Sequence, residues 1–187
     1  MAEVIVQNWV GNQTNNAINS GVKRLAQGFI FYADVSLPKV TLSVHRWGAN
    51  PGNVTLQINA ADGAGKPTLP LLATATRDGN GFQVAQADED FNFGAPAELV
   101  NGTLYTMQIF VLGADGGNLI RVWQIDNIPG GPDPYPDGKH WFSGTGGAVW
   151  IENHIGGFTD MMFKAYGETA AGMVGLAPGA MAKIMGV

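Results

Sequence analysis

Residues 40–60 read VTLSVHRWGANPGNVTLQINA. Within the first six residues, the apolar Val40, Leu42 and Val44 alternate with polar side chains, and the last seven residues repeat this pattern. A period of two is typical of a β-strand that has one face in a core and one polar face. Because Pro51 and Gly52 form a turn signal between the two runs, the stretch predicts two consecutive antiparallel strands.

Short strand-like runs continue along the chain, each closed by Gly, Asn or Asp. They are LLATATRDG at 71–79, FNFG at 91–94, TLYTMQIFVLG at 103–113, LIRVWQID at 119–126 and DMMFKAYG at 160–167. Residues 29–32 and 104–112 are apolar on both faces, which favours strands in the middle of a sheet. No segment between Phe29 and Tyr166 has ten residues of helical periodicity. The pattern therefore argues against an α/β fold and predicts an all-β sandwich or barrel.

The composition limits the partners that the chain is expected to have. Its 187 residues suit one domain, and only 13% of them are charged, against about 25% in an average protein. A net charge of −5, with only one adjacent basic pair, predicts no nucleic-acid partner. The sequence has no cysteine, no basic leader before an apolar block, and no apolar run near the ~20 residues of a membrane helix. We therefore expect no disulfide, no signal peptide and no membrane insertion.

Residues 61–67, ADGAGKP, contain the Gly-Lys pair of a phosphate-binding loop. Such a loop needs four residues between its first glycine and that pair, followed by Ser or Thr. Here Ala60 stands at the glycine position and Pro67 at the hydroxyl position. The stretch also joins two predicted strands, without a helix whose N-terminus could face a phosphate. It therefore predicts a hairpin turn, with Asp62 and Gly63 as its signal.

Other residues with catalytic or metal-binding chemistry do not form recognised motifs. Ser143, in FSGTGGAVW, lacks the Gly-x-Ser-x-Gly pattern of a nucleophile elbow. The histidines His45, His140 and His154 lack the spacing of a zinc pair. Residues 87–90, ADED, lack the alternating acidic spacing of a calcium loop and suggest solvated charge before a strand. We predict no catalytic site, no metal and no cofactor, and thus a protein that is not an enzyme.

Three aromatic residues in predicted loops are candidates for stacking against sugar rings. Trp47 lies in HRWGANPG, and Tyr135 and Trp141 lie in the Pro-rich stretch PDPYPDGKHWFSG. The alternative is that Trp141 packs on the core while Tyr135 contacts the prolines, because large aromatic side chains are mostly buried. The sequence leaves both possibilities open.

The two ends of the chain differ from the strand-rich middle, and we predict that both are arms. Residues 1–26 include an Asn-rich stretch, and residues 169–187, TAAGMVGLAPGAMAKIMGV, are almost uncharged. Disordered tails are usually polar and charged, so an apolar tail favours docking against another subunit or against its own domain. The residues expected to make this contact are Met173, Val174, Leu176, Met181, Ile184 and Met185.

Three phrases follow one another in the order of the predicted strands. NPGN at 50–53 opens a strand, PAELVNGTLYTMQI at 96–109 leads into a central strand, and FKAYG at 163–167 closes the last one. Over about residues 27–168 the chain resembles a jelly-roll β-sandwich module of phage structural proteins and bacterial surface proteins, distantly similar to galactose-binding and carbohydrate-binding domains. The resemblance implies an antiparallel jelly roll without catalytic residues. Some relatives bind sugars or calcium, but this sequence has no motif that would assign a particular ligand to it.

This resemblance, together with the low-charge arms, predicts a phage virion structural protein in capsid decoration or in the tail or fibre. Its expected partners are other virion proteins and further copies of itself, in a ring or trimer. It would be made in the host cytoplasm and located in the virion. The alternative function is a carbohydrate-binding module or receptor-binding head that contacts host glycans through Trp47, Tyr135 or Trp141.

Overall fold

A computed structural model describes residues 4–5, 13–21, 24–126, 138–153 and 159–169. These residues form two antiparallel sheets that pack together, so the prediction of an all-β sandwich is confirmed. The only helical turn in the described ranges is a short 3-10 helix, Gly79–Gly81. The strands are β1 (Val4–Ile5), β2 (Gln13–Ile18), β3 (Arg24–Ile30), β4 (Val35–Trp47), β5 (Asn53–Ala61), β6 (Pro67–Asp78), β7 (Ala87–Leu99), β8 (Leu104–Val111), β9 (Leu119–Asp126), β10 (His140–Ser143), β11 (Ile151–Glu152), β12 (Thr159–Met161) and β13 (Phe163–Thr169).

The first sheet is built around the long strand β4. Strand β7 pairs with one edge of β4, while the other edge pairs first with β13 and then, over residues 44–47, with β9. Strands β2 and β12 pair with β9, and β1 pairs with β13. Between β12 and β13, the amide of Met162 donates to the carbonyl of Trp123 at 2.8 Å, and its carbonyl accepts from the amide of Ser43 at 3.2 Å. Strands β4 and β9 pair at residues 44–47 of β4 and then diverge. The chain runs beside β9 as β12, turns at Met162 between the diverging strands, and continues beside β4 as β13.

The second sheet has the order β11-β10-β3-β8-β5-β6. Strand β8 pairs with β3 on one side and with β5 on the other, and every residue of β8 after Leu104 is buried. Phe29 lies in β3, the neighbouring central strand, and is 0% exposed. Strands β3 and β8 are therefore central in the sheet, as the apolar runs that begin at Phe29 and Leu104 predict.

The core lies between the facing sides of the two sheets. The alternate apolar residues at 40–44 of β4 and at 54–58 of β5 are fully buried, as the period of two predicts. Aromatic rings connect the two sheets, with Phe29 of the second sheet 6.3 Å from Phe163 of the first, measured between ring centroids. Phe31 meets the same Phe29 ring edge-on at 5.6 Å, an arrangement that aromatic pairs prefer.

Residues 61–67 join β5 to β6 as a turn, which confirms the prediction for ADGAGKP. The Asp62 carboxylate accepts hydrogen bonds from the backbone amides of Ala64 and Lys66, both at 2.9 Å. Gly65 has a φ of 89°, a conformation that favours glycine. Its carbonyl accepts a hydrogen bond from the Thr106 hydroxyl at 2.7 Å, so the loop is fixed to β8.

The N-terminal boundary differs from the predicted one. Residues 13–18, inside the segment predicted as an arm, form β2 and pair with β9 along the whole length of β2. Ile18 is 0% exposed, and Leu25 and Ala26, also before the predicted boundary at residue 27, are fully buried in β3. Asparagine is depleted in strands, so the composition of this segment hid a strand that pairing with β9 stabilises. At the other end β13 stops at Thr169, and residues 170–187 lie outside the described residues.

Candidate functional site

The candidate site lies on the outer face of the first sheet, along β4. Thr41, Ser43, His45 and Trp47 alternate with the core residues of β4 and therefore point away from the core; we call them the β4 outer row. Thr41, Ser43 and His45 are 4%, 5% and 9% exposed because side chains of neighbouring strands cover them. Trp47, at the end of the row, is 57% exposed. The row thus combines covered polar groups with one open aromatic ring.

A pocket of about 210 Å³ opens beside this row. The side chain of Gln86 fixes one wall, because its Nε2 donates to Ser43 Oγ at 2.9 Å and to Gln13 Oε1 at 3.2 Å. Met162, at the fork between β4 and β9, lies on the opposite side. The lining residues are Thr41, Ser43, Gln86, Asp88, Met162, Phe163 and Lys164.

One ion pair lines the pocket, and a second lies further along β7. Lys164 Nζ lies 2.6 Å from Asp88 Oδ2, and Lys39 Nζ lies 3.4 Å from Asp90 Oδ2. The hydrogen bond to Asp88 is the main reason that the pKa of Lys164 is raised above its usual value. Thr41 Oγ1 also donates to Asp90. Residues 87–90 are therefore part of β7 and hold lysines of neighbouring strands, which the interpretation as solvated charge before a strand did not anticipate.

At the other end of the row, Trp47 is held beside a guanidinium group. The guanidinium of Arg121 lies 5.4 Å from the Trp47 ring centroid, within cation–π range, and its Nη1 donates to Asn15 Oδ1 at 2.6 Å. His45 Nδ1 accepts a hydrogen bond from the Trp123 indole at 2.9 Å. Burial, and then the charge of Arg121, lower the pKa of His45. A neutral imidazole therefore lies between the pocket and the exposed tryptophan.

A second polar cluster lies inside the sandwich, where β3, β10 and β12 meet. Gln27 Nε2 donates to Asp160 Oδ1 at 2.8 Å, and Gln27 Oε1 accepts from the amide of Met161 at 2.9 Å. Asn153 Nδ2 and His140 Nδ1 are 3.2 Å apart, and burial lowers the pKa of His140 to about 3. The four side chains of this cluster are at most 3% exposed, and the hydrogen bonds of Gln27 to Asp160 and Met161 connect the two sheets.

The three aromatic residues predicted to stack on sugars do not form one site. Trp47 is exposed on β4 of the first sheet, whereas Trp141 lies on β10 of the second sheet and is 5% exposed. Lys66 Nζ lies 5.0 Å from the Trp141 ring centroid. At 5% exposure and with Lys66 over its ring, Trp141 offers no open face on which a sugar could stack. Tyr135 lies outside the described residues.

The assembly residues predicted in the C-terminal tail also lie outside the described residues. They are Met173, Val174, Leu176, Met181, Ile184 and Met185. The structure places other exposed apolar side chains on or directly before the two outermost strands of the second sheet. Leu69 and Leu71 on β6 are 84% and 43% exposed, and Val149 and Ile151 at β11 are 56% and 51% exposed. We call these pairs the β6 edge and the β11 edge.

One feature of the sequence marks the β6 edge, although it breaks the alternation of apolar and polar residues. Residues 68–72, TLPLL, place apolar side chains on both faces of a strand around Pro70. In the structure, Thr68 pairs with Ala60 and Leu71 with Asn59, so Leu69 and Pro70 have no partner in β5. Proline is confined to edge strands and bulges within sheets, which makes Leu-Pro-Leu a recognisable sign of an exposed edge.

No protein-family model matches the chain. No curated protein matches it either. Within the ranges that the structure describes, no three His, Cys, Asp or Glu side chains are grouped so that they could hold a metal ion. In the same ranges, no helix combines the length and the apolar character needed to cross a membrane.

Proposed function

We propose that the chain is a structural protein of a phage virion, in capsid decoration or in the tail or fibre, and that it acts by assembly. The observation that carries this proposal is the pair of exposed apolar edges on opposite sides of the second sheet. Edge strands present unpaired backbone groups, and apolar side chains beside them favour pairing with another chain. The β6 edge of one copy can meet the β11 edge of the next, a head-to-tail contact that closes into a ring when the rotation allows.

The sequence supports the same proposal from two further directions. Residues 27–168 resemble jelly-roll modules of phage structural proteins, and the observed all-β sandwich is compatible with that family. Residues 169–187 are apolar and almost uncharged, which suits contact with a neighbouring copy or another virion protein. Ordering such a tail costs chain entropy, so docking on a neighbour must offset that cost. The protein is then synthesised in the host cytoplasm and resides in the virion.

Deletion of residues 170–187 tests the assembly role while leaving β13 complete to Thr169. The truncated chain should keep the circular-dichroism spectrum and cooperative unfolding of the full chain, because the core formed by the described residues precedes the cut. We expect light scattering to show an oligomer for the full chain and not for the truncated chain, which should also fail to enter virions. Normal oligomerisation and normal incorporation of the truncated chain would contradict a role of the tail in assembly.

A second candidate function, binding of host glycans, is favoured by one observation. Trp47 is 57% exposed and is held by Arg121 on the same face as the pocket. Open tryptophan rings stack on apolar faces of sugars, and the neighbouring polar side chains can bind hydroxyl groups. Replacement of Trp47 by alanine should then remove binding to glycans that the full-length protein recognises.

A further inference from the structure

The pocket on the outer face of the first sheet has the size of a site for a small polar ligand. Its volume of about 210 Å³ is below the ~300–1,000 Å³ of sites for drug-sized ligands. The hydroxyls of Thr41 and Ser43 form its base, since β4 lies between β7 and β13. Gln86 and Asp88 form the wall on the β7 side. Met162 and Lys164 form the wall on the β13 side.

The lining offers hydrogen-bond donors and acceptors without a net charge. Hydroxyl and carboxamide groups both donate and accept, whereas Asp88 only accepts and Lys164 only donates. Since Asp88 and Lys164 already form an ion pair at 2.6 Å, a charged ligand would meet one group of its own sign. A neutral ligand with several hydroxyls can bind the exposed side chains of Gln86 and Asp88, and the half-buried Met162 can contact its apolar carbons. We propose that this pocket binds a single sugar ring.

The position of Trp47 extends this site along β4. Ser43 and Trp47 are four residues apart on the same face of the strand, which corresponds to roughly 13 Å at ~3.3 Å per residue. His45 and Trp123 cover the strand between them. A glycan chain can therefore place one ring in the pocket and a later ring against Trp47. This inference rests on the glycan-binding candidate function and does not depend on assembly.

Nuclear magnetic resonance on the full-length chain labelled with 15N tests the pocket directly. The probes are glucose, N-acetylglucosamine and their linear tetrasaccharides, with glycerol as a polyol that lacks a ring, at concentrations well above the millimolar range. The two side-chain amide resonances of Gln86 report on the pocket, because this group donates to Ser43. The indole resonance of Trp47 reports on the far end. We expect at least one monosaccharide to shift the Gln86 signals and its tetrasaccharide to shift both.

Variants separate the pocket from the tryptophan. Gln86→Ala should weaken binding of both the monosaccharide and the tetrasaccharide by about tenfold, the loss expected for one or two hydrogen bonds. Gln83→Ala is the matched control, since Gln83 is exposed in the same loop and does not line the pocket. Trp47→Ala should weaken only the tetrasaccharide. The Asp88→Asn variant, at an exposed position of β7, repeats the pocket test with the shape preserved and should also weaken both ligands.

Each other outcome overturns a defined part of the inference. If a tetrasaccharide shifts Trp47 and leaves Gln86 unchanged, or if Gln86→Ala and Gln83→Ala bind alike, the pocket is not a sugar site while the glycan-binding function stands. If glycerol shifts the Gln86 signals as strongly as the monosaccharides, the pocket selects hydroxyl groups and not a ring, which also overturns the inference. If no probe shifts either residue, the pocket and the glycan-binding function both fail. The assembly role is judged separately, by oligomer mass and incorporation into virions.

Discussion

At the scale of single residues, the fold strongly constrains the ionisation of His140. Its side chain lies in the polar cluster between the sheets and is 2% exposed, with Nδ1 3.2 Å from Asn153 Nδ2. Burial lowers its pKa to about 3, because a charged imidazolium would lose its hydration inside the sandwich. In the unfolded chain the imidazole returns to a pKa near 6.5.

This difference predicts acid sensitivity between pH 7 and pH 5. The folded state keeps His140 neutral, so below pH 6.5 the unfolded state binds one more proton and the free energy of unfolding falls as pH falls towards 3. The expected loss from this residue is about 2 kcal/mol between pH 7 and pH 5. Urea unfolding of the wild type and of His140→Gln at both pH values measures it. The variant should be less stable at pH 7 but should lose less stability on acidification; equal losses would rule out His140 as the source.

At the scale of the elements, the alternation of apolar residues predicted the strands of the core and failed where a strand is polar. Val40 to Val44 and Val54 to Ile58 were predictable because their side chains alternate against one core. Strand β2 was not, since Gln13, Thr14, Asn15 and Asn16 carry no such pattern. The backbone pairing that holds it comes from β9, more than 100 residues later.

The candidate site was predictable only in part for the same reason. The polar residues Thr41, Ser43 and His45 were recognised as one face of a strand, and Trp47 was singled out as an aromatic in a loop. The four residues form one outer row because β4 extends as far as Trp47. Gln86, in the loop before β7, and Lys164, on β13, join the pocket from segments that are distant from β4 in sequence, and no local pattern marks that proximity.

Strand β2 gives a direct test of whether the N-terminal segment is an arm. Ile18 is 0% exposed and packs in the main core, so Ile18→Ala should lower the free energy of unfolding by about 2–5 kcal/mol. Val84→Ala is the matched control, because Val84 is 68% exposed and its truncation should change stability by less than about 0.5 kcal/mol. Chemical denaturation followed by tryptophan fluorescence measures both. A detachable arm would instead make Ile18→Ala behave like the control.

At the scale of the whole molecule, the β6 and β11 edges predict which copies can join. Leu69→Ser damages the β6 edge, and Ile151→Ser damages the β11 edge; both side chains are more than half exposed, so the fold should tolerate each change. Loss of one buried leucine contact of about 2 kcal/mol weakens association roughly 30-fold. Sedimentation velocity should therefore show each variant as a much weaker oligomer than the wild type.

Mixing the two variants separates head-to-tail assembly from a symmetric dimer. An Ile151→Ser copy retains its β6 edge and a Leu69→Ser copy retains its β11 edge, so the equimolar mixture should form one intact junction and sediment as a heterodimer. A two-fold contact between β6 edges would leave Ile151→Ser fully dimeric alone. Such a result, or unchanged association of both single variants, would exclude the head-to-tail arrangement.

The turn at Met162 has a consequence for how the protein is made. Strand β13 pairs with most of one edge of β4, and β12, which directly precedes it in the chain, pairs with β9. A chain emerging from the ribosome exposes β4 well before residues 159–169 leave the exit tunnel, so this edge stays unpaired until those residues emerge. The first sheet is therefore completed only after β12 and β13 have been made. During that interval a chaperone or a neighbouring nascent chain can bind the edge that Phe163–Thr169 finally occupies.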